Sequence, residues 1–142
     1  VLELVGGLDT FRTGVGENLD DHRLHSEAYT VSQATLEACR RADRVVAVGT
    51  TTTRALEAAA RLGPSGRTDL FIRRPFDFRM VDLLLTNFHL PRTTLRGLLD
   101  AVVGARWRDQ YDLALANDYR FLSFGDAMLV GRLGAKRGEP SR

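Results

Sequence analysis

Residues 44–63 read RVVAVGTTTTRALEAAARLG, and this stretch decides the fold. It opens with a β-branched apolar run, Arg44 to Gly49, of the kind that forms a buried parallel strand. Four threonines follow, and the next residues, rich in Ala, Leu, Arg and Glu, favour a helix that Gly63-Pro64 ends. A strand that runs directly into a helix is typical of α/β folds, so we expect one here.

Strand and helix patterns alternate on both sides of this unit. Upstream, LHSEAYTV alternates like a strand, and Ser32 is placed to cap a helix over SQATLEACRRAD. Downstream, PSGRTD is typical of a loop, DLFIRR and LLLTNFHL of buried strands, and LRGLLDAVVGARW and RDQYDLALAND of helices separated at Gly104. YRFLSFGDAMLVGRL indicates a strand or hairpin. The alternation predicts a three-layer α/β sandwich with a mostly parallel sheet over residues 1–130, followed by a basic, disordered tail, 131–142.

Bulk properties indicate an ordinary globular protein. The chain has 142 residues, 44% hydrophobic and 27% charged, with a net charge of +2. No apolar run approaches the roughly 20 residues that span a bilayer, and no signal peptide is visible, so we expect a cytoplasmic location and no membrane partner. Cys39 is the single cysteine, which excludes an intrachain disulfide and suits a reducing compartment.

The strand-to-helix junction VAVG-TTTT-R is the strongest local candidate for a binding site. The free N–H groups at a helix start attract anions and polar oxygens. Four hydroxyls, Thr50 to Thr53, add hydrogen-bonding groups, and Arg54 can hold an anion. The alternative is that one threonine caps the helix and Arg54 pairs with Glu57 or with an aspartate elsewhere. The junction is not a Walker loop, because it lacks the Gly-Lys pair.

Three further clusters of polar residues are candidates for chemistry. In DDHRLHSE, His25 and Glu27 share one face of a strand, as an acid–base pair requires; the alternatives are surface residues or, with His22, a metal site. In TNFHLP, Asn87 and His89 follow a buried strand, where α/β proteins bind ligands, or else form a turn. In YRFLSFGDAM, Asp126 is either a buried carboxylate partnered by Arg120 or a residue of a solvent-facing turn.

Four blocks together, DDHRLHSE, VAVGTTTTRALE, VDLLLTNFHLP and YRFLSFGDAM, resemble the S-adenosylmethionine:tRNA ribosyltransferase-isomerase (QueA) family of the queuosine pathway. The resemblance runs from about Leu4 to Met128. It implies an α/β domain and a metal-free reaction, in which the ribosyl part of S-adenosylmethionine moves onto the aminomethyl-deazaguanine base of a tRNA anticodon loop. The sugar rearranges to an epoxy-cyclopentanediol, and methionine and adenine leave.

The matching positions carry the residue types that this reaction needs. His25 with Glu27, His89 and Asp126 are the candidates for the acid and base. Candidates for substrate binding are Thr50, Thr51, Thr52, Thr53, Arg54, Asn87 and Arg120. S-adenosylmethionine is thus expected as a substrate and tRNA as a partner, with no metal.

Some positions depart from the family's pattern. The N-terminal half of the family is absent, and Val5, Asp9, Arg73 to Pro75 and Asp100 replace residues usual there. We therefore expect the chain alone to be inactive without the missing half. The alternative is a degenerate module that binds a nucleotide or tRNA without catalysis.

Overall fold

A computed structural model of the chain describes residues 2–5, 26–89 and 94–132. Within them lie six strands and four helices. The strands are β1 (Leu2–Val5), β2 (Glu27–Val31), β3 (Val46–Val48), β4 (Ser65–Thr68), β5 (Leu83–Asn87) and β6 (Ala127–Gly131), and the helices are α1 (Gln33–Arg41), α2 (Thr50–Leu62), α3 (Thr94–Val103) and α4 (Trp107–Ala116).

The strands form two three-stranded sheets, in the orders β1-β2-β4 and β3-β5-β6. The α/β class is thus confirmed, but the predicted three-layer, mostly parallel arrangement is not. Among the described strands only β3 and β5 pair in parallel, and the other three pairings are antiparallel. The β1-β2-β4 sheet is entirely antiparallel. Helix α2 ends before Gly63-Pro64, and the residues that follow pair antiparallel with β2.

The position of β4 corrects one prediction. Residues 65–68, expected in a loop, form β4, whereas DLFIRR, expected as a strand, has no regular structure. Ile72 is nonetheless buried in the core, and the backbone N–H of Leu70 donates to Thr68 Oγ1 at 3.1 Å. The apolar character of this segment therefore reflects core packing and not strand pairing.

The helices agree with their sequence signals. Ser32 Oγ accepts from the backbone N–H of Thr35 at 3.2 Å, which confirms the expected cap of α1. A short 3-10 turn, Gly104–Arg106, separates α3 from α4 at the predicted break. Asp100, one of the departures from the family's pattern, accepts a hydrogen bond from Trp107 Nε1 at 3.2 Å. This departure therefore has a structural use in joining the two helices.

A buried carboxylate fixes the segment between β4 and β5. Glu57 of α2 accepts hydrogen bonds from the backbone N–H groups of Arg79, Met80 and Val81 at 2.9–3.0 Å. The same carboxylate forms an ion pair with Arg61, at 2.6 Å, one helical turn further on. The sequence-based alternative that Glu57 pairs with Arg54 is therefore wrong.

Candidate active site

The candidate site lies at the edge of the β3-β5-β6 sheet where the parallel strands end. Val48 of β3 pairs with Leu85 of β5, and the backbone N–H of Gly49 donates to Leu85 O at 2.8 Å. Helix α2 starts beyond this edge, and so does the segment that carries His89. The predicted juxtaposition of the helix start with His89 at one sheet edge agrees with this strand order.

The start of α2 has no side-chain cap. Its N-cap residue is Gly49, which has no side chain to accept a hydrogen bond, and the first turn contains no acidic residue. Thr53 is buried and donates its hydroxyl to Gly49 O at 3.1 Å, whereas Thr51 is exposed and Thr50 and Thr52 are half-buried. The N–H groups of the first turn are therefore left to bind a polar or anionic group.

Arg54 does not extend into solvent and is held in an ion pair. Its side chain is 8% exposed, and Nη1 lies 2.5 Å from Glu27 Oε2. Its Nε also donates to the carbonyl of Leu70 at 3.2 Å. Glu27 is equally buried, because α2 packs across β2. The pair joins the first sheet to α2, and Arg54 thereby has a carboxylate partner that neither sequence alternative named.

His89 is held by two hydrogen bonds beyond the end of β5. Its Nε2 lies 2.9 Å from Thr86 Oγ1, with the direction of the proton set by the ring tautomer. Its backbone N–H donates to the hydroxyl of Tyr111 from α4 at 2.9 Å. The sequence predicts α4 as a helix but gives no signal that the hydroxyl of Tyr111 reaches His89, since the two are 22 residues apart.

Burial lowers the pKa of His89 below its ordinary value of 6.5. The ring is therefore neutral at pH 7, as a proton acceptor must be. Burial also raises the pKa of the Tyr111 hydroxyl, which remains protonated and able to donate or accept.

The lowered pKa predicts a pH effect on stability. As pH falls through 6.5, His89 of the unfolded chain takes up a proton before that of the folded chain, so the unfolded state is favoured. This contribution to stability is complete above about pH 6.5 and is lost as pH falls towards the lowered pKa. His89→Gln should therefore lose less stability than the parent between pH 7.5 and 5.5. Urea midpoints at both pH values measure this, and parallel pH profiles would contradict it.

Asn87 and Asp126 meet across the β5–β6 pair. Asn87 pairs with Ala127, and its Nδ2 donates to the carbonyl of Asp126 at 3.0 Å. The Asp126 carboxylate accepts from the backbone N–H of Arg120, and its Oδ2 lies 3.5 Å from Arg120 Nε. The expected partnership of Arg120 with Asp126 is confirmed, although the carboxylate is about one third exposed and not buried.

Several predicted residues fall outside this cluster. His22 and His25 lie outside the described residues, as do the tail residues 133–142, so their predictions stay open. Within the described part of the chain there is no group of three or more His, Cys, Asp or Glu residues placed to hold a metal ion. None of the helices described there is long and apolar enough to cross a membrane.

Comparison with known proteins agrees with the resemblance in the sequence. A family model described as "Queuosine biosynthesis protein" matches residues 1–130. An S-adenosylmethionine:tRNA ribosyltransferase-isomerase of Azoarcus sp. (strain BH72) is 50% identical over 135 residues, which are 89% of this chain and 39% of that protein. The enzyme of the same name from Rubrobacter xylanophilus is 49% identical over 126 residues, covering 87% of this chain and 38% of the relative.

A solved structure is also similar. The crystal structure of S-adenosylmethionine tRNA ribosyltransferase from Thermotoga maritima matches with a TM-score of 0.68 and 49% sequence identity, over 72% of this chain and 40% of that chain. The chain thus spans about 40% of the length of the relatives it matches. Because the family model covers 1–130 of the 142 residues, the chain belongs to the queuosine biosynthesis protein family.

Proposed function

We propose that this chain forms the C-terminal part of an S-adenosylmethionine:tRNA ribosyltransferase-isomerase. The reaction transfers the ribosyl group of S-adenosylmethionine to the aminomethyl-deazaguanine base in a tRNA anticodon loop, isomerises the sugar, and releases methionine and adenine. The observation that carries the proposal is that the uncapped start of α2 and the residues Asn87, His89 and Asp126 lie at the same sheet edge, in a chain whose curated relatives bear that name.

The roles follow from the chemistry of each group. Neutral His89 is the candidate to take the proton beside the sulfonium, because its pKa is lowered and a base must be unprotonated. Asp126 is the second acid–base candidate, since its carboxylate can accept a proton or a hydrogen bond from the substrate. The N–H groups and hydroxyls of Thr50, Thr51 and Thr52 hold a ribose oxygen, the methionine carboxylate or a tRNA phosphate.

Other predicted residues act around that centre. Asn87 forms a hydrogen bond with a polar edge of the substrate. Its Nδ2 also donates to the carbonyl of Asp126 and so positions that residue. Arg120 holds the Asp126 carboxylate and can contact a phosphate. Glu27 and Arg54 position the start of α2 through their buried pair, and His25 remains a candidate acid–base residue. No step is assigned to a metal.

The three-layer sandwich is completed by the part of the family's sequence that this chain does not contain. Support comes from the outer face of the β3-β5-β6 sheet, which is apolar although its opposite face is already buried. Val46, Val48 and Leu129 are about half exposed or more, and Val48 and Leu129 flank Leu85 in register. Strands with two apolar faces are typical of a sheet covered on both sides.

This dependence predicts that the isolated chain does not release adenine from S-adenosylmethionine in the presence of precursor tRNA. The part of the family's sequence that this chain does not span covers the apolar face next to Asn87 and so completes the candidate site. Chromatographic detection of adenine measures the result, with the full-length Thermotoga maritima relative as the positive control. Tenfold or greater release over the protein-free background would overturn the requirement for the missing part.

A further inference from the structure

The segment from Arg120 to Asp126 is a short loop that is tied to the candidate site at three points. Asp126 binds both the backbone of Arg120 and the amide of Asn87. The backbone N–H of Leu122 donates to Phe88 O at 2.7 Å. Phe121 packs on Phe88 with ring centroids 5.3 Å apart. The loop is therefore fixed against the end of β5, immediately before His89.

The loop directs one large aromatic side chain away from the core. Phe124 is 68% exposed, although it stands three residues from Phe121, whose ring packs inward. The backbone on both sides of Phe124 is unusual, because Leu122 has φ 62° and Gly125 has φ 119°. A left-handed conformation is unfavourable for leucine, and the hydrogen bond from Leu122 to Phe88 helps to hold it.

The position of Phe124 is limited by its two neighbours in the loop. It lies two residues from the anchor at Leu122 and two from Asp126. Two residues of chain span at most about 7 Å, so the backbone of Phe124 is within that distance of both anchors. The backbone that carries this exposed ring is thereby confined to the neighbourhood of Asp126, whose carbonyl binds Asn87.

We propose that Phe124 is a stacking platform for a purine-like base of the substrate. This inference rests on the proposed function, whose two substrates both carry such a base: the adenine of S-adenosylmethionine and the deazaguanine of the tRNA. A flat apolar ring with polar groups at its border fits a planar base that has hydrogen-bonding edges. Because the loop that carries Phe124 is already fixed in place, less conformational entropy is lost when the base binds.

The test compares Phe124→Ala with Phe124→Tyr, which keeps the ring. The matched control is Leu113→Ala, because Leu113 of α4 is 67% exposed and takes no part in the loop. Calorimetry measures binding of S-adenosylmethionine in one arm and of an anticodon stem-loop RNA with the precursor base in the other. Loss of base stacking should weaken binding about 5- to 150-fold in Phe124→Ala, in the arm whose base is stacked, with Phe124→Tyr and Leu113→Ala close to the parent.

The arms also separate this inference from the proposed function. If the parent binds and Phe124→Ala binds equally well in both arms, the platform is excluded while the proposed function stands. If the isolated parent binds neither probe, residues 1–130 are fused to the remaining part of the Thermotoga maritima relative and KM is measured for each substrate. If the fusion releases adenine and Phe124→Ala in that fusion raises neither KM, the stacking platform is likewise excluded. In each protein the urea midpoint should be unchanged, since an exposed ring contributes little to folding.

Discussion

Arg54→Met should lower the free energy of unfolding by about 3–5 kcal/mol, because it leaves a buried carboxylate without its ion-pair partner. Arg54 and Glu27 are each 6% exposed and lie 2.5 Å apart. Surface ion pairs are worth only about 0–1 kcal/mol, so the burial of this pair decides the size of the effect. Urea denaturation at neutral pH measures it.

Two variants show whether the loss comes from the pair itself. Arg40→Met makes the same substitution at an exposed position of α1 and should change stability by less than about 0.5 kcal/mol. The double variant Arg54→Met with Glu27→Met should recover much of the loss, since replacing both partners by apolar groups is often neutral. If Arg54→Met is no more destabilised than Arg40→Met, the pair has no structural role.

The helices were predictable because their signals are local. Ser32 caps α1, Gly63-Pro64 ends α2, and Gly104 separates α3 from α4; each acts within a few residues of its own position. The strands were less predictable, since pairing depends on distant partners. An apolar run such as DLFIRR fits either a buried strand or an irregular core segment, and only the antiparallel pairing of Ser65–Thr68 with β2 decides between them.

In the candidate site too, some features follow from local sequence patterns and others depend on contacts between distant residues. The juxtaposition of the α2 start with His89 followed from the rule that parallel strands end at one sheet edge, and β3 and β5 are parallel. The partner of Arg54 did not follow from any local pattern, because Glu27 is 27 residues away and its burial arises from the packing of α2 on β2. The contact between Tyr111 of α4 and His89 did not follow from a local pattern either, because it depends on how α4 packs against the end of β5.

The central claim is that this chain supplies catalytic residues to a ribosyltransferase-isomerase, and a fusion protein tests it most directly. Residues 1–130 of this chain replace the matching part of the Thermotoga maritima relative, and adenine release from S-adenosylmethionine is measured with precursor tRNA. His89→Gln in this fusion removes the candidate base while retaining a polar group next to Thr86. Leu113→Ala serves as the control substitution.

We expect the fusion to release adenine and His89→Gln to lower kcat by about 10²- to 10⁴-fold, the usual contribution of a general base. The control should be as active as the unsubstituted fusion. A folded fusion that binds S-adenosylmethionine or tRNA but releases no adenine would contradict the claim in favour of a non-catalytic binding module. A fusion whose activity is unaffected by His89→Gln would contradict the role assigned to His89.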